Sequence, residues 1–196
     1  GGSFDASNAG LSYAPPQGAE IPVHVGGEGP HMCRMAAKHA DGLLYNGSHP
    51  KDLAWAREQV DDGLADRPDH RGEFDLIAYA AVSVAEEAAA AREAARPPVA
   101  FIVAGAAPPV LKRHGIDPDA ANEIGERVSA GEVPAAFERV TPAMVDAFCM
   151  AGTPETVRER AAAVAEHADE LVVGSPLGPD LEAAVDLAAE AVDGPF

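Results

Sequence analysis

The chain has 196 residues, of which 47% are hydrophobic and only 5% are aromatic. This composition excludes a disordered chain and predicts one domain with a core of small and branched side chains. The 32 acidic residues outnumber the 14 basic ones and give a formal net charge of −18, which disfavours binding to nucleic acid or anionic membranes. Richness in acids and alanine, with only three lysines, predicts adaptation to a salt-filled cytoplasm, and an ordinary acidic protein is the alternative.

The two cysteines, Cys33 and Cys149, indicate neither a disulfide scaffold nor a zinc site, because no paired Cys or His motif accompanies them. We predict no metal site. The sequence contains no long apolar run and no leader-like segment, so a reducing, cytoplasmic location is expected. Gly1 stands where a methionine would begin a complete chain, which indicates either a cloning remnant or a piece of a longer protein.

Residues 1–20 lack periodicity and predict an irregular lead-in. The next segments alternate between strand and helix patterns. Residues 21–25 predict a strand, residues 26–30 break it, and Pro30 suits the first position of a helix. Residues 43–45 predict a second strand, residues 46–48 break it, and an apolar stripe from Leu53 to Leu64 predicts the helix that follows.

A third strand is predicted over residues 74–83, with a helix that opens at Glu86-Glu87. A last strand is predicted over residues 171–173 and is closed by residues 174–178, before a helix capped by Asp180. Four strand-then-helix units predict an α/β fold with a parallel sheet. A doubly wound sheet is one possibility, and a barrel is favoured because the polar loops follow the carboxyl ends of the strands.

Residues 97–150 are predicted to form a helical insertion before the last strand. Helices are expected near residues 108–114, 117–130, 134–138 and 141–148, and the clear strand pattern in the segment is Val99–Val103. A further helix is predicted to begin at Thr153-Pro154-Glu155.

Four motifs, in this order, carry a resemblance to a known family. They are Ile21-Pro22-Val23-His24-Val25-Gly26-Gly27-Glu28-Gly29-Pro30, Ala40-Asp41-Gly42-Leu43-Leu44-Tyr45-Asn46-Gly47-Ser48-His49-Pro50, Ala151-Gly152-Thr153-Pro154-Glu155-Thr156-Val157, and Asp169-Glu170-Leu171-Val172-Val173-Gly174-Ser175-Pro176-Leu177-Gly178-Pro179. This series is similar to the carboxyl-terminal half of the luciferase-like flavin and deazaflavin oxidoreductases. It implies strands five to eight of a (β/α)8 TIM barrel, with the amino-terminal half absent.

Within that superfamily, the motifs most resemble those of the methylenetetrahydromethanopterin reductases. The resemblance implies hydride transfer between reduced coenzyme F420 and a methylene-tetrahydropterin carrier of the methanopterin or folate type. An FMN-dependent monooxygenase, an F420-dependent dehydrogenase of alcohols or sugar phosphates, and a catalytically inert truncated fragment are the alternatives. The resemblance also implies a homo-oligomer in the full-length protein.

The glycine-rich loop after the first strand is a candidate cofactor site. Gly26, Gly27, Gly29 and Pro30 combine close backbone approach with a helix start, although a plain strand-to-helix turn shows the same pattern. We expect Glu28 to point away from a phosphate, and the amides of Gly27 and Gly29 to be the better donors.

Polar residues after the second and last strands complete the predicted site. Asn46 and Ser48 are candidate cofactor ligands, although Ser48 also suits a helix cap. Ser175 is the candidate after the last strand, where barrels often bind phosphate. His49 and His24 are candidate substrate-binding residues, and no catalytic acid or base is assigned because hydride transfer depends mainly on positioning.

Overall fold

Residues 21–193 are the part of the chain described by the computed structural model, and five strands within them form one parallel sheet. The predicted lead-in over residues 1–20 lies outside the described residues. The strands are β1 His24–Gly26, β2 Gly42–Asn46, β3 Asp75–Val84, β4 Met150–Gly152 and β5 Glu170–Leu177. Their order is β1-β2-β3-β4, and β5 also pairs with β3.

Helices follow the strands as expected for crossover connections. They are α1 Pro30–His39, α2 Pro50–Leu64, α3 Ala88–Gly105, α4 Pro108–His114, α5 Pro118–Ser129, α6 Val133–Glu138, α7 Pro142–Phe148, α8 Pro154–Ala165 and α9 Leu181–Val192. No helix within residues 21–193 has both the length and the apolar character needed to cross a membrane.

Proline and capping side chains determine where several helices begin. Proline lies in the first turn of α1, α2, α4, α5 and α8, where its missing N–H costs no hydrogen bond. Asp180 caps α9 by accepting a hydrogen bond from the Ala183 amide at 3.1 Å. The helix starts predicted at Pro30, Thr153 and Asp180 are confirmed.

The predicted last strand is correct in place but too short. β5 continues past Val173 to Leu177, because Gly174 pairs with Ala81 and Leu177 pairs with Ser83 across an irregularity in the ladder. The loop expected over residues 174–178 is therefore largely strand.

The strand expected at Val99–Val103 is wrong. These residues lie in α3, which runs unbroken through Pro97 and Pro98, so the predicted boundary at residue 97 falls inside a helix. Ala91, Ala95, Val99 and Val103 are all buried, and this spacing of four residues places them on one face of a helix.

The segment beyond α3 is helical, as predicted, and ends in a strand that the sequence pattern did not reveal. α4 to α7 match the four predicted helices within a few residues. β4 has only three residues, all buried, and pairs Met150 with Val82 of β3. Three residues are too few to show a strand periodicity.

The described residues contain two apolar clusters. The first packs the sheet against α1, α2, α8 and α9. The second packs α3 against the helices of residues 108–148. The other face of the sheet is open: Tyr79 of β3 and Val172 of β5 are 41% and 38% exposed. In the described residues, β1 pairs only with β2, and β5 pairs only with β3.

Candidate functional site

The carboxyl ends of the strands meet at one rim of the sheet, which we call the carboxyl rim. Because all the strands are parallel, the loops after Gly26 of β1 and Asn46 of β2 leave the sheet on the same side. The end of β5 reaches this side as well, since Leu177 lies opposite Ser83 near the end of β3. The first two predicted loops and the end of β5 therefore share one rim.

A cavity of about 330 Å3, which we call the helix-side cavity, lies between this rim and the helical segment. Its polar wall comes from the first loop, the end of β2 and the start of α2. Its apolar wall comes from α3, α4 and α7. The lining residues are Glu28, Tyr45, Asn46, Gly47, Ser48, Asp52, Phe101, Ile102, Gly105, Ala106, Val110 and Phe148.

A second cavity, of about 440 Å3, lies on the open face of the sheet and is called here the sheet-side cavity. It is lined by Gly26, Gly27, Glu28, Leu44, Asn46 and Tyr79. The strand residues among them face the same way, because Gly26 lies opposite Leu44 and Asn46 lies opposite Tyr79 in the ladders. Glu28 and Asn46 line both cavities and form the boundary between them.

The glycine-rich loop is only partly as expected. Gly26 and Gly27 line the sheet-side cavity, whereas Gly29 and Pro30 are exposed outside both cavities. The Gly27 amide is used within the fold, since it donates to the Leu44 carbonyl at 3.3 Å. A side chain at Gly27 would stand 2.8 Å from Cβ of Met32, so this turn requires glycine. Glu28 lines both cavities.

Asn46 and Ser48 follow β2 and differ in their availability to a ligand. Asn46 is exposed, and its side chain makes no hydrogen bond to another described residue. Ser48 is 4% exposed, and its hydroxyl accepts a hydrogen bond from the Ala81 amide at 2.9 Å. The cap of α2 is His49 and not Ser48, so the helix-cap interpretation of Ser48 is wrong.

His49 caps the start of α2 and does not line either cavity. Its Nδ1 accepts a hydrogen bond from the Lys51 amide at 3.1 Å, which leaves the proton of the neutral ring on Nε2. Burial, followed by the nearby positive charge of Arg160, lowers the pKa of His49 to about 4. The ring is therefore neutral at neutral pH.

His24 and Ser175 lie at the edges of the open face. His24 begins β1, and a side chain added at the neighbouring Gly42 would stand 3.0 Å from the His24 ring. It shares a face with Gly26 but lies at the amino end of its strand, outside both cavities. Ser175 is exposed in the irregular part of β5, beside the cis peptide bond to Pro176, and also lies outside them.

A buried charge network beneath the helix-side cavity escaped the sequence analysis. Asp52 is 3% exposed, and its carboxylate accepts hydrogen bonds from Arg113 and, at 2.8 Å, from Nε2 of His114. The guanidinium of Arg113 also stacks 4.6 Å from the ring of Trp55. The network joins the start of α2 to α4 and so fixes the helical segment against the rim.

Aromatic contacts extend this support to the cavity wall. The ring of His114 meets the ring of His49 at 4.9 Å and that of Phe148 at 5.6 Å, both edge to face. Burial raises the pKa of the Tyr45 hydroxyl, so this cavity-lining residue stays neutral. Asp52 and Arg113 are 61 positions apart, and no local sequence pattern indicates such a contact.

The family model for luciferase-like monooxygenases matches residues 1–170. The chain belongs to the luciferase-like monooxygenase family. The resemblance drawn from the four sequence motifs is therefore confirmed.

This luciferase-like chain is similar to archaeal reductases. It is 41% identical over 189 residues to the 5,10-methylenetetrahydromethanopterin reductase of Archaeoglobus fulgidus, a match that covers 94% of this chain and 56% of the reductase. It superposes on the structure of the coenzyme F420-dependent tetrahydromethanopterin reductase of Methanopyrus kandleri with a TM-score of 0.82 and 36% identity. That match covers 90% of this chain and 51% of the reductase.

A more distant structural match shows only the fold. An F420-dependent secondary alcohol dehydrogenase superposes with a TM-score of 0.63 at 17% identity. The luciferase-like chain spans about half the length of the relatives it matches. Together with the parallel sheet, these matches confirm the predicted α/β fold, which corresponds to part of a (β/α)8 barrel.

Proposed function

We propose that this chain forms one wall of the active site of an F420-dependent oxidoreductase, which transfers a hydride between reduced coenzyme F420 and a methylene-tetrahydropterin. The main support is its similarity, at 36% identity and a TM-score of 0.82, to a reductase named for both F420 and tetrahydromethanopterin. The two adjacent cavities at the carboxyl rim add a physical reason, because a hydride transfer needs two bound molecules side by side.

The sheet-side cavity suits a flat tricyclic ring. Gly26 and Gly27 allow a close approach of a ring to the backbone, while Leu44 and Tyr79 offer apolar surface to its face. The deazaflavin of F420, when bound, supplies the hydride chemistry. For its phosphate we propose the Gly29 amide at the start of α1, which makes no hydrogen bond to another described residue.

The proposed role of the protein is to position the ligands and exclude water. Asn46 can both donate and accept hydrogen bonds at the boundary of the cavities, and Ser48 and Tyr45 offer neutral polar groups beside it. The ring of His49 is neutral at neutral pH, so it stabilises the cavity wall without adding a charge to it. These residues place two rings in contact without requiring an acid or base for the hydride step.

The test is an assay of the longest natural polypeptide that contains this sequence. We expect it to bind F420 and to oxidise reduced F420 when a methylene-tetrahydropterin is added. Copurified FMN, or turnover of an alcohol or sugar phosphate in place of the pterin, would replace this proposal with one of the alternative oxidoreductases. Absence of both binding and turnover would favour an inert fragment.

Residues 1–196 assayed alone are expected to give no turnover. A barrel site is built from loops around the whole ring, and this chain supplies the loops of about half of it. One wall cannot hold two flat ligands at the roughly 3–3.5 Å separation that hydride transfer needs. Turnover equal to that of the longer polypeptide would show that these strands carry the whole site.

Salt adaptation and a cytoplasmic location are further parts of the proposal. The formal charge of −18 repels itself in dilute buffer, and salt screens this repulsion. The thermal unfolding midpoint should therefore rise between low and molar potassium chloride, and equal midpoints would contradict adaptation to salt. The buried free thiols of Cys33 and Cys149 suit a reducing cytoplasm.

A further inference from the structure

We infer that Glu28 binds the pyrimidine edge of the pterin in the helix-side cavity, while the deazaflavin occupies the sheet-side cavity. This inference rests on the proposed function and assigns each of its two ligands to one cavity. It also gives Glu28 the task of distinguishing between them.

The position of Glu28 is the first argument. It is one of the two residues that line both cavities, and it projects from the loop between β1 and α1. Within residues 21–193, its carboxylate takes part in no ion pair and accepts no hydrogen bond. Its oxygens are therefore available to a ligand at the place where the two bound molecules meet.

The charge balance of the cavities is the second argument. Asp52 is the other acidic residue of the helix-side cavity, and Arg113 and His114 occupy its carboxylate. No lysine, arginine or histidine is among the described residues that line either cavity. Glu28 thus leaves an uncompensated negative charge at the boundary, which attracts hydrogen-bond donors and repels acceptors.

The edges of the two rings differ in the groups that they would present to this carboxylate. The pyrimidine edge of a pterin carries two adjacent donors, the N3–H and the 2-amino group, which match the two oxygens of a carboxylate. The corresponding edge of the deazaflavin has one N–H between two carbonyl oxygens. Those oxygens would face the carboxylate and be repelled, so Glu28 selects the pterin.

The walls of the cavities agree with this assignment. The helix-side cavity has the smaller volume, about 330 Å3 against about 440 Å3, and Phe101, Ile102 and Phe148 supply apolar surface for a compact bicyclic ring. The sheet-side cavity is a shallower surface beside Tyr79 and Leu44, which suits the longer tricyclic ring. With this arrangement the reacting carbons meet beside Asn46, the other residue shared by both cavities.

The experiment compares two substitutions that each remove one negative charge. Glu28→Gln keeps the size of the side chain but replaces one carboxylate oxygen with a donor that faces the pterin donors. Glu170→Gln is the matched control, because Glu170 is exposed at the amino end of β5, away from both cavities. The longest natural polypeptide is titrated with tetrahydromethanopterin and, separately, with F420, and binding is followed by calorimetry.

We expect Glu28→Gln to weaken tetrahydromethanopterin binding by about tenfold or more, and to change F420 binding by less than about twofold. Glu170→Gln should change neither affinity. If both ligands bind and Glu28→Gln leaves the pterin affinity unchanged, or weakens F420 instead, the inference is overturned and the proposed function stands. If the unsubstituted protein binds neither ligand, both are overturned.

Discussion

The two rims of the sheet differ in how their polar side chains are used. At the amino-terminal rim, the guanidinium of Arg67 donates to five backbone carbonyls at 2.6–3.1 Å. Beside it, the carboxylate of Asp169 accepts from the Leu76 amide at 2.8 Å and from Arg57 at 2.7 Å. Asp41 likewise accepts from the Val23 amide at 2.8 Å. Every one of these side chains is used within the fold.

At the carboxyl rim, the two polar side chains that line both cavities are left available. Glu28 and Asn46 make no hydrogen bond to another described residue. Ser48 and Asp52 are the buried exceptions: the Ser48 hydroxyl accepts from the Ala81 amide of β3, and the Asp52 carboxylate accepts from Arg113 of α4. In barrels, the amino-terminal rim contributes stability and the carboxyl rim carries the site, and we propose the same division for this sheet. Substitutions at the two rims should therefore separate stability from binding.

Arg67→Ala is expected to cause the largest loss. It leaves the carbonyls at the end of α1 and in the loop before β3 without their donor, which should lower the free energy of unfolding by about 4 kcal/mol. Urea denaturation followed by circular dichroism measures the change. Arg71→Ala is the control, because the Arg71 side chain makes no hydrogen bond to another described residue. Equal losses in the two variants would contradict the special role of Arg67.

Asp52→Asn is expected to have the second largest effect and to lower the free energy of unfolding by about 3 kcal/mol. Removing the carboxylate leaves Arg113 and His114 without their charged acceptor in a buried position. Asp66→Asn is the matched control, since the ion pair of Asp66 with Lys38 is exposed and should contribute less than about 1 kcal/mol. A loss as small as that of the control would show that α4 is held by apolar packing alone.

The sequence predicts those features of the fold that depend on residues close together in the chain. In helices that begin with proline, such as α1 and α4, the proline itself marks the first residue, and the limits of these helices were predicted well. The parallel sheet followed from the alternation of strand and helix patterns, which also placed the carboxyl rim correctly.

Features that depend on distant contacts were beyond the sequence. The apolar run Val99–Val103 resembles a strand until the helices of residues 108–148 cover one side of it. The contact of Asp52 with Arg113 spans 61 positions. The position of Glu28 between two cavities depends on the tertiary structure, and the expectation that it points away from a phosphate stays a prediction.

His49→Asn tests the wall behind the site through its pH dependence. The pKa of His49 is lowered to about 4 from its ordinary 6.5. Between pH 6.5 and 4, His49 is therefore protonated in the unfolded chain but stays neutral in the folded chain. Stability from this residue is complete above pH 6.5 and is lost as the pH falls towards 4. Asparagine retains a capping side chain but does not titrate.

The free energy of unfolding of the unsubstituted chain should therefore depend more steeply on pH than that of His49→Asn. On acidification, the native chain should lose about 2 kcal/mol relative to His49→Asn, measured by urea denaturation at several pH values. All other titrating groups are common to both and cancel in the comparison. Parallel curves would mean that His49 titrates normally in the folded state.

Asn46→Ala should have the smallest effect on stability and a clear effect on binding. Asn46 is exposed at the end of β2, and its side chain contacts no hydrogen-bond partner among the described residues, so the free energy of unfolding should change by less than about 0.5 kcal/mol. Because it borders both cavities, its loss should weaken F420 binding to the longest natural polypeptide by about tenfold. Asn122→Ala, on the exposed side of α5, is the control and should change neither quantity. A stability loss as large as that of Asp52→Asn would place Asn46 in the framework and end the distinction between the two rims.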